Sequence, residues 1–97
     1  MAALLNDTEL QVALDSLGTD WQLVAVGTMT ALQRRWTTKN FADAFALSAK
    51  VAELADGHDH HPLMQVEWGA FTVTWWTHSS GGITMLDLTL AKLCNSL

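Results

Sequence analysis

Apolar residues recur at helical spacing in three segments of the chain, and each segment predicts an amphipathic helix. The first begins at Asn6 or Asp7, which are good helix-capping residues, and ends at Gly18. Its apolar face comprises Leu10, Ala13, Leu14 and Leu17. The second, NFADAFALSAKVAELADG, ends just before Gly57. Its predicted core face comprises Phe41, Ala44, Phe45, Val51, Ala52 and Ala55, with the small Ser48 between them. The third, TMLDLTLAKLCNSL, has a stripe of Leu86, Leu90, Leu93 and Leu97.

Two segments between these helices alternate between apolar and polar residues, which is typical of strands in hairpins. WQLVAVGTMTALQRRW predicts two strands around a turn at Gly27 and Thr28. LMQVEWGAFTVTWWTH predicts a second hairpin with Gly69 and Ala70 as its two-residue turn. The order is therefore α-β-β-α-β-β-α. We expect a single α+β domain over residues 1–97, with the helices packed on one face of a four-stranded antiparallel sheet.

This turn fixes which residues of the second hairpin oppose one another. One face pairs Trp68 with Phe71, Val66 with Val73, and Met64 with Trp75, and this apolar set is the predicted core face. The other face pairs Glu67 with Thr72, Gln65 with Thr74, and Leu63 with Trp76. One further step brings His61 opposite His78, so two histidines far apart in sequence are expected to meet at the open end of the hairpin.

Composition excludes several classes of protein. With 49% hydrophobic and 15% charged residues, the composition is that of a folded chain and not of a disordered one. The low charged fraction also leaves apolar residues for a subunit interface. A formal net charge of -5 argues against direct nucleic-acid binding. The single cysteine, Cys94, excludes an internal disulfide and a cysteine-based zinc site, and its helical position indicates a packing role. MAALLNDTEL predicts neither a signal peptide nor a membrane span, so we expect a cytoplasmic protein.

The candidate chemistry lies in DGHDHHP, which packs three histidines and two aspartates into the stretch Asp56–Pro62. Histidine titrates near neutral pH and can donate or accept a proton, so the cluster favours an acid–base site. A polar hairpin mouth without a function is the plain alternative. A metal site is a weaker hypothesis. His58, His60, His61 and His78 supply four imidazoles, but the adjacent pair diverges on an extended segment and no His-Glu-x-x-His spacing is present.

The neighbouring residues favour a pocket for a flat, polar ligand. Trp76 lies on the same strand face as His78, Thr77 and Ser79 add hydroxyl groups, and Trp21 begins the first strand. A subunit interface is the alternative role for Trp76. Asp87 is a further candidate for substrate binding, and it also has a structural alternative, because TMLD fits a variant capping box with Thr84 as the N-cap.

These residues resemble the signature of the pterin-4a-carbinolamine dehydratases, also called 4a-hydroxytetrahydrobiopterin dehydratases. The signature has an acidic residue, three spacers, His-His-Pro, an aromatic residue, a histidine and a later aspartate. It corresponds here to Asp56, His60-His61-Pro62, Trp68, His78 and Asp87, and the resemblance covers nearly the whole chain. It implies an α+β sandwich of the same element order, assembled as a homodimer or homotetramer.

The resemblance also implies a hydro-lyase that converts 4a-hydroxytetrahydropterin to quinonoid dihydropterin and water in pterin recycling, without a metal or cofactor. His60 and His78 would form the acid–base pair, and His61 would mainly hold the pterin. Trp21, Asp59, Thr77 and Ser79 match positions of the pterin pocket, Asp56 would support a histidine, and His58 has no matching role. A non-catalytic or dual-role binding or assembly module of the same fold remains the alternative.

Overall fold

The computed structural model describes residues 3–97 and shows the predicted order of elements. The helices and strands are α1 (Asp7–Leu17), β1 (Trp21–Val26), β2 (Met29–Thr37), α2 (Phe41–Gly57), β3 (Leu63–Glu67), β4 (Ala70–Trp75) and α3 (Met85–Cys94). A short 3₁₀ turn at His78–Ser80 precedes α3. The strands form one antiparallel sheet in the order β1-β2-β4-β3, which confirms the α+β prediction.

Side-chain caps set the starts of the first two helices. The side chain of Asn6 accepts a hydrogen bond from the backbone N–H of Glu9 at 2.8 Å, and the Glu9 carboxylate accepts one from the Asn6 N–H at 2.8 Å. Asn40 caps α2 by accepting from the Asp43 N–H at 2.8 Å. The first helix ends at Gly18, whose φ of 94° is the reason that a glycine suits this position.

The hydrophobic core lies between the helices and one face of the sheet. Leu32, Phe71, Val73 and Trp75 are fully buried there, and Met64 and Val66 are partly buried beside them. The helices contribute Ala13, Leu17, Ala44, Val51, Ala55, Leu90, Ala91 and Cys94. The predicted core face of the second hairpin is therefore present, with one exception at the turn.

That exception is Trp68, which lies in the turn and is 75% exposed. The turn comprises Trp68 and Gly69 rather than Gly69 and Ala70, so Val66 pairs with Phe71 and not with Val73. Gly69 has a φ of 82° and takes the second turn position. The predicted register was wrong by two residues, but a shift of two preserves the face on which each side chain lies.

Two predicted helix faces also differ from the structure. Phe41 and Phe45 of α2 are 50% and 60% exposed, while the smaller residues of the same helix enter the core. In α3 the buried face comprises Asp87, Leu88, Leu90, Ala91 and Cys94. Leu93 is 39% exposed, and Leu97, which follows the helix, is 44% exposed. Leucines cover two adjacent sides of α3, so spacing alone could not select between them. The side that carries the buried hydrogen bonds of Asp87 is the one that faces the core.

Across residues 3–97, no helix has both the length and the apolar character needed to cross a membrane.

Candidate active site

The segment after α2 folds back tightly on the end of that helix. The backbone N–H groups of His58 and His60 both donate to the carbonyl of Ala55, each at 3.2 Å. Asp59 makes this possible by adopting a left-handed conformation with a φ of 49°, which aspartate tolerates better than most residues. The backbone around His60 is therefore held in place only a few residues before β3 begins.

A second tight turn follows β4. The backbone of Thr77 and that of Gly82 bond to each other in both directions, at 2.7 and 3.2 Å, and so close a loop. The 3₁₀ turn inside this loop carries His78 and Ser79, and Gly81 ends it with a φ of 85°. The loop presents His78 as an exposed side chain beside the end of the sheet.

These two turns meet and enclose an open cleft of about 460 Å³. Its walls are formed by Asp59, His60, His61, Trp76, Thr77, His78 and Ser79. The three histidines thus share one cleft, as the sequence predicts. The predicted pairing of His61 with His78 is nevertheless wrong, because β3 begins only at Leu63 and β4 ends at Trp75. Both histidines therefore lie in loops, and these loops bring them together.

His60 is the most constrained of these histidines. Its Nε2 lies 2.6 Å from Oδ1 of Asp87, and the two side chains are 14% and 0% exposed. The imidazole also stacks on the indole of Trp75, with ring centroids 5.9 Å apart and planes inclined by 11°. Trp75 was predicted only as a core residue. Its contact with His60 could not be read from the alternation of the strand.

Asp87 combines this contact with the predicted capping box. Its Oδ2 accepts hydrogen bonds from the Thr84 N–H at 2.9 Å and from the Thr77 hydroxyl at 2.7 Å. Because the carboxylate is fully buried, it lies beneath the cleft and not on its surface. Direct binding of substrate by Asp87 is therefore not supported by this geometry, and its contact with the cleft runs through His60.

His61 is held more loosely. Its Nε2 lies 2.9 Å from Oδ1 of Asp56, but these side chains are 61% and 78% exposed, and such surface pairs contribute little. Asp56 stands at the end of α2 and does not itself line the cleft. His58 turns away from the cleft, with its Nδ1 3.1 Å from the carbonyl of Leu54.

Trp21 does not belong to this cleft. It is 5% exposed on β1, which lies at the opposite edge of the sheet from β3. Its indole N–H donates to Oδ1 of Asn95 at 2.7 Å, and Arg34 donates to the same oxygen at 2.6 Å. The predicted role of Trp21 in ligand binding is therefore not supported within one chain, where Trp21 joins α3 to the sheet.

The donor set also bears on metal binding. Within the described part of the chain, no three His, Cys, Asp or Glu side chains come together in a group that could hold a metal ion. His60 and His61 direct their Nε2 atoms to different aspartates, which separates them as potential ligands.

The chain is similar in sequence to known proteins over nearly its whole length. The family model described as pterin 4 alpha carbinolamine dehydratase matches residues 3–97. A provisionally named pterin-4-alpha-carbinolamine dehydratase of Marinobacter nauticus is 41% identical over 99% of this chain and 86% of its own length. A protein of Vibrio cholerae with the same provisional name is 40% identical over 96% of this chain and 84% of its own length.

Among solved structures, a Brucella melitensis protein described as a transcriptional coactivator/pterin dehydratase superimposes with a TM-score of 0.84. It is 34% identical, and the match covers 96% of each chain. Sequence, fold and the arrangement of histidines around the cleft lead to one assignment: the chain belongs to the pterin-4-alpha-carbinolamine dehydratase family.

Proposed function

We propose that this chain dehydrates a 4a-hydroxytetrahydropterin to the quinonoid dihydropterin by histidine acid–base catalysis. The observation that carries the proposal is the cleft in which His60, backed by the buried carboxylate of Asp87, stands with His78 and His61. Family membership supports the dehydratase class. The cleft volume of about 460 Å³ falls in the range of pockets for small molecules, and a pterin is a small bicyclic ring.

The reaction requires two proton transfers. A base removes the proton from ring N5, the electron pair of that bond forms a double bond between N5 and C4a, and the C4a–oxygen bond breaks. The departing hydroxyl takes a proton from an acid and leaves as water. We assign the base to His60, because Asp87 can stabilise the imidazolium that forms there, and the acid to His78, which is exposed in the same cleft.

The other residues of the cleft bind the substrate in this proposal. His61, beside Asp56, holds the polar edge of the pterin, and Trp76 offers an aromatic wall for the flat ring. Asp59 and Ser79 supply further polar groups. The scheme changes no oxidation state and so requires no redox cofactor, and the histidines supply its acid and its base without a metal.

The direct test is turnover of chemically prepared 4a-hydroxytetrahydropterin. His60→Ala and His78→Ala should each lower kcat by about 10²–10⁴-fold with little change in KM, because each removes a proton-transfer group. His61→Ala should mainly raise KM. The double variant His60→Ala/His78→Ala should approach the uncatalysed rate.

His58→Ala is the matched control, since His58 belongs to the same cluster but lies outside the cleft and should leave kcat and KM unchanged. A double variant that kept most of its activity, or a wild-type chain without activity, would refute the proposed function.

Metal independence is a separate part of the proposal. Purified protein should contain no stoichiometric zinc or iron, and chelators should leave turnover unchanged. Metal that is bound in a 1:1 ratio and lost together with activity would contradict the acid–base scheme.

A second candidate role is a binding or assembly module. The exposed pair Phe41 and Phe45 on α2 favours it, because exposed apolar patches mark contact surfaces. The Brucella melitensis protein is described both as a transcriptional coactivator and as a pterin dehydratase. In the double histidine variant, a contact made through α2 should survive while turnover is lost.

A further inference from the structure

The two oxygens of Asp87 serve different neighbours. Oδ1 faces Nε2 of His60 at 2.6 Å, and Oδ2 accepts from the Thr77 hydroxyl at 2.7 Å and from the Thr84 N–H at 2.9 Å. Every partner is held by other contacts: Thr77 by the closed loop to Gly82, and Thr84 by its place at the start of α3. The orientation of the carboxylate is therefore fixed by Thr77 and Thr84 together.

The chemistry of a carboxylate determines which hydroxyl group donates a hydrogen bond to which oxygen. An ionised carboxylate only accepts hydrogen bonds, so the single hydroxyl hydrogen of Thr77 points to Oδ2. The oxygens of Thr77 and Thr84 are 2.9 Å apart, and the Thr84 hydroxyl consequently donates to Thr77. A direct contact from Thr84 Oγ1 to Oδ2 is longer, at 3.4 Å, beyond the usual range for hydroxyl donors. Thr77 is the hydroxyl that engages Asp87.

The same reasoning fixes the tautomer of His60. Because Oδ1 can only accept, Nε2 of the neutral imidazole carries the hydrogen and Nδ1 carries the free electron pair. Nδ1 makes no hydrogen bond to any group within residues 3–97, and it is accessible to solvent. The ring lines the cleft and is held against Trp75. Nδ1 is thus the atom of His60 left to take a proton.

We propose that Thr77 is a positioning residue that acts through Asp87 to hold His60 with Nδ1 as the proton-accepting atom. This inference rests on the proposed function for its catalytic part. In the reaction, the N5 proton moves to Nδ1, the N5–H electrons form the N5–C4a double bond, and the leaving oxygen takes its proton from His78. The proton on Nδ1 then returns to His78 through solvent, which restores both residues.

This assigns to Thr77 a role different from that of a pterin ligand. Its side chain lines the cleft, but its only hydroxyl hydrogen is already donated to Asp87 and its oxygen already accepts from Thr84. A direct contact with substrate would compete with both bonds. Loss of the hydroxyl should therefore reduce the proton-transfer step more than it weakens binding.

The test compares Thr77→Val, which keeps the shape but removes the hydroxyl, with Thr77→Ser, which keeps the hydroxyl. The first readout needs no substrate: NMR of protein with ¹⁵N-labelled histidine, with His60 assigned through His60→Ala. In the wild type and in Thr77→Ser, the Nε2–H proton should give a low-field signal protected from exchange, and Nδ1 should be unprotonated. In Thr77→Val this signal should broaden through exchange with water.

The second readout is turnover. Thr77→Val should lower kcat by about 10- to 100-fold, by analogy with the loss of a hydrogen-bond partner behind a metal-ligating histidine, with KM nearly unchanged. Thr77→Ser should restore most of kcat. Thr77→Ala, which removes the same hydroxyl with less bulk, replaces the valine variant if that variant fails to fold.

Three results would overturn the assignment: a hydrogen on Nδ1 in the neutral ring, an unaltered Nε2–H signal in Thr77→Val, or a rise in KM without a fall in kcat. The last would make Thr77 a substrate contact. If the wild type had no dehydratase activity, the proposed function would fail, and the NMR comparison would still decide whether Thr77 positions His60.

Discussion

Asp59 holds a backbone conformation that few residues other than glycine adopt easily, with a φ of 49°. A β-branched residue meets steric conflict there, so Asp59→Val should lower the free energy of unfolding by about 1–2 kcal/mol. Asp59→Asn keeps a side chain suited to this conformation and is the matched control, with near wild-type stability. Urea unfolding followed by circular dichroism measures both. Equal stability of the two variants would show that the turn is not constrained.

Cys94 is fully buried in the core, and this burial raises the pKa of its thiol. The neighbouring Trp75 and Arg34 oppose the shift but do not cancel it. In the folded chain the thiol therefore stays neutral at a pH at which the thiol of the unfolded chain has begun to ionise. Folding then favours the protonated form, and this contribution to stability is complete below the ordinary thiol pKa of about 8.5.

Above about pH 8.5 that contribution should decline, and it should continue to do so until the folded thiol also ionises. The free energy of unfolding of the wild type should fall more steeply between pH 8 and about 10 than that of Cys94→Ala, the control for all other titrating groups. A thiol reagent should modify native protein only at the rate of unfolding. Parallel pH dependence in the two proteins would refute this coupling.

The sequence identifies the histidines of the site, and the resemblance adds Asp56, which lies beside His61, but neither identifies what supports His60. The signature residues His60, His61 and His78 do line one cleft. The contact of Thr77 with Asp87 depends on how a loop and a helix start approach each other, which no local pattern encodes. For Trp21 the resemblance pointed to a pocket, whereas its indole N–H is used by Asn95.

Among the secondary-structure elements, α1 offers the simplest test of a local sequence signal. Asn6→Ala removes the acceptor for the Glu9 N–H and should cost about 1 kcal/mol of stability. Asn6→Asp retains an acceptor and should be close to the wild type. Chemical denaturation, fitted with one common m-value, compares the stabilities of the two variants. An alanine variant as stable as the aspartate variant would count against the cap.

The second hairpin shows why element type is easier to predict than register. Alternation assigns side chains to faces, and it does so equally well for two registers that differ by two residues. Gly69 fits either turn position, and only its φ of 82°, at the second position, settles the pairing of Val66 with Phe71. The buried faces of α2 and α3 could not be predicted for a similar reason, because each helix has apolar residues on more sides than the core covers.

For the whole molecule, those uncovered apolar residues lead to a prediction about assembly. Trp76, for which a subunit interface was the alternative role, lines the cleft, and Leu63 is 46% exposed on the sheet face away from the helices. Phe41 and Phe45 form a second exposed set on α2. We expect a homodimer or homotetramer at micromolar concentration by sedimentation velocity.

The pair Phe41→Ser/Phe45→Ser should reduce the average mass, whereas Val12→Ser, an exposed apolar residue on α1, should not. A wild-type monomer at micromolar concentration would contradict this expectation. An unaltered mass in the double variant would instead place the contact on the sheet face around Leu63.

The double engagement of Asp87 has a consequence for how relatives of this chain can diverge. One carboxylate both starts α3 and supports His60, so a descendant that abandoned catalysis would still be selected to keep the aspartate for folding. His78 is exposed in the cleft and starts no helix, so its loss would not disturb the fold, whereas loss of His60 would leave the buried carboxylate without one of its partners. An aspartate retained at this position therefore says little about whether a protein is an enzyme, and replacement of His78 is the clearer sign that catalysis has been lost.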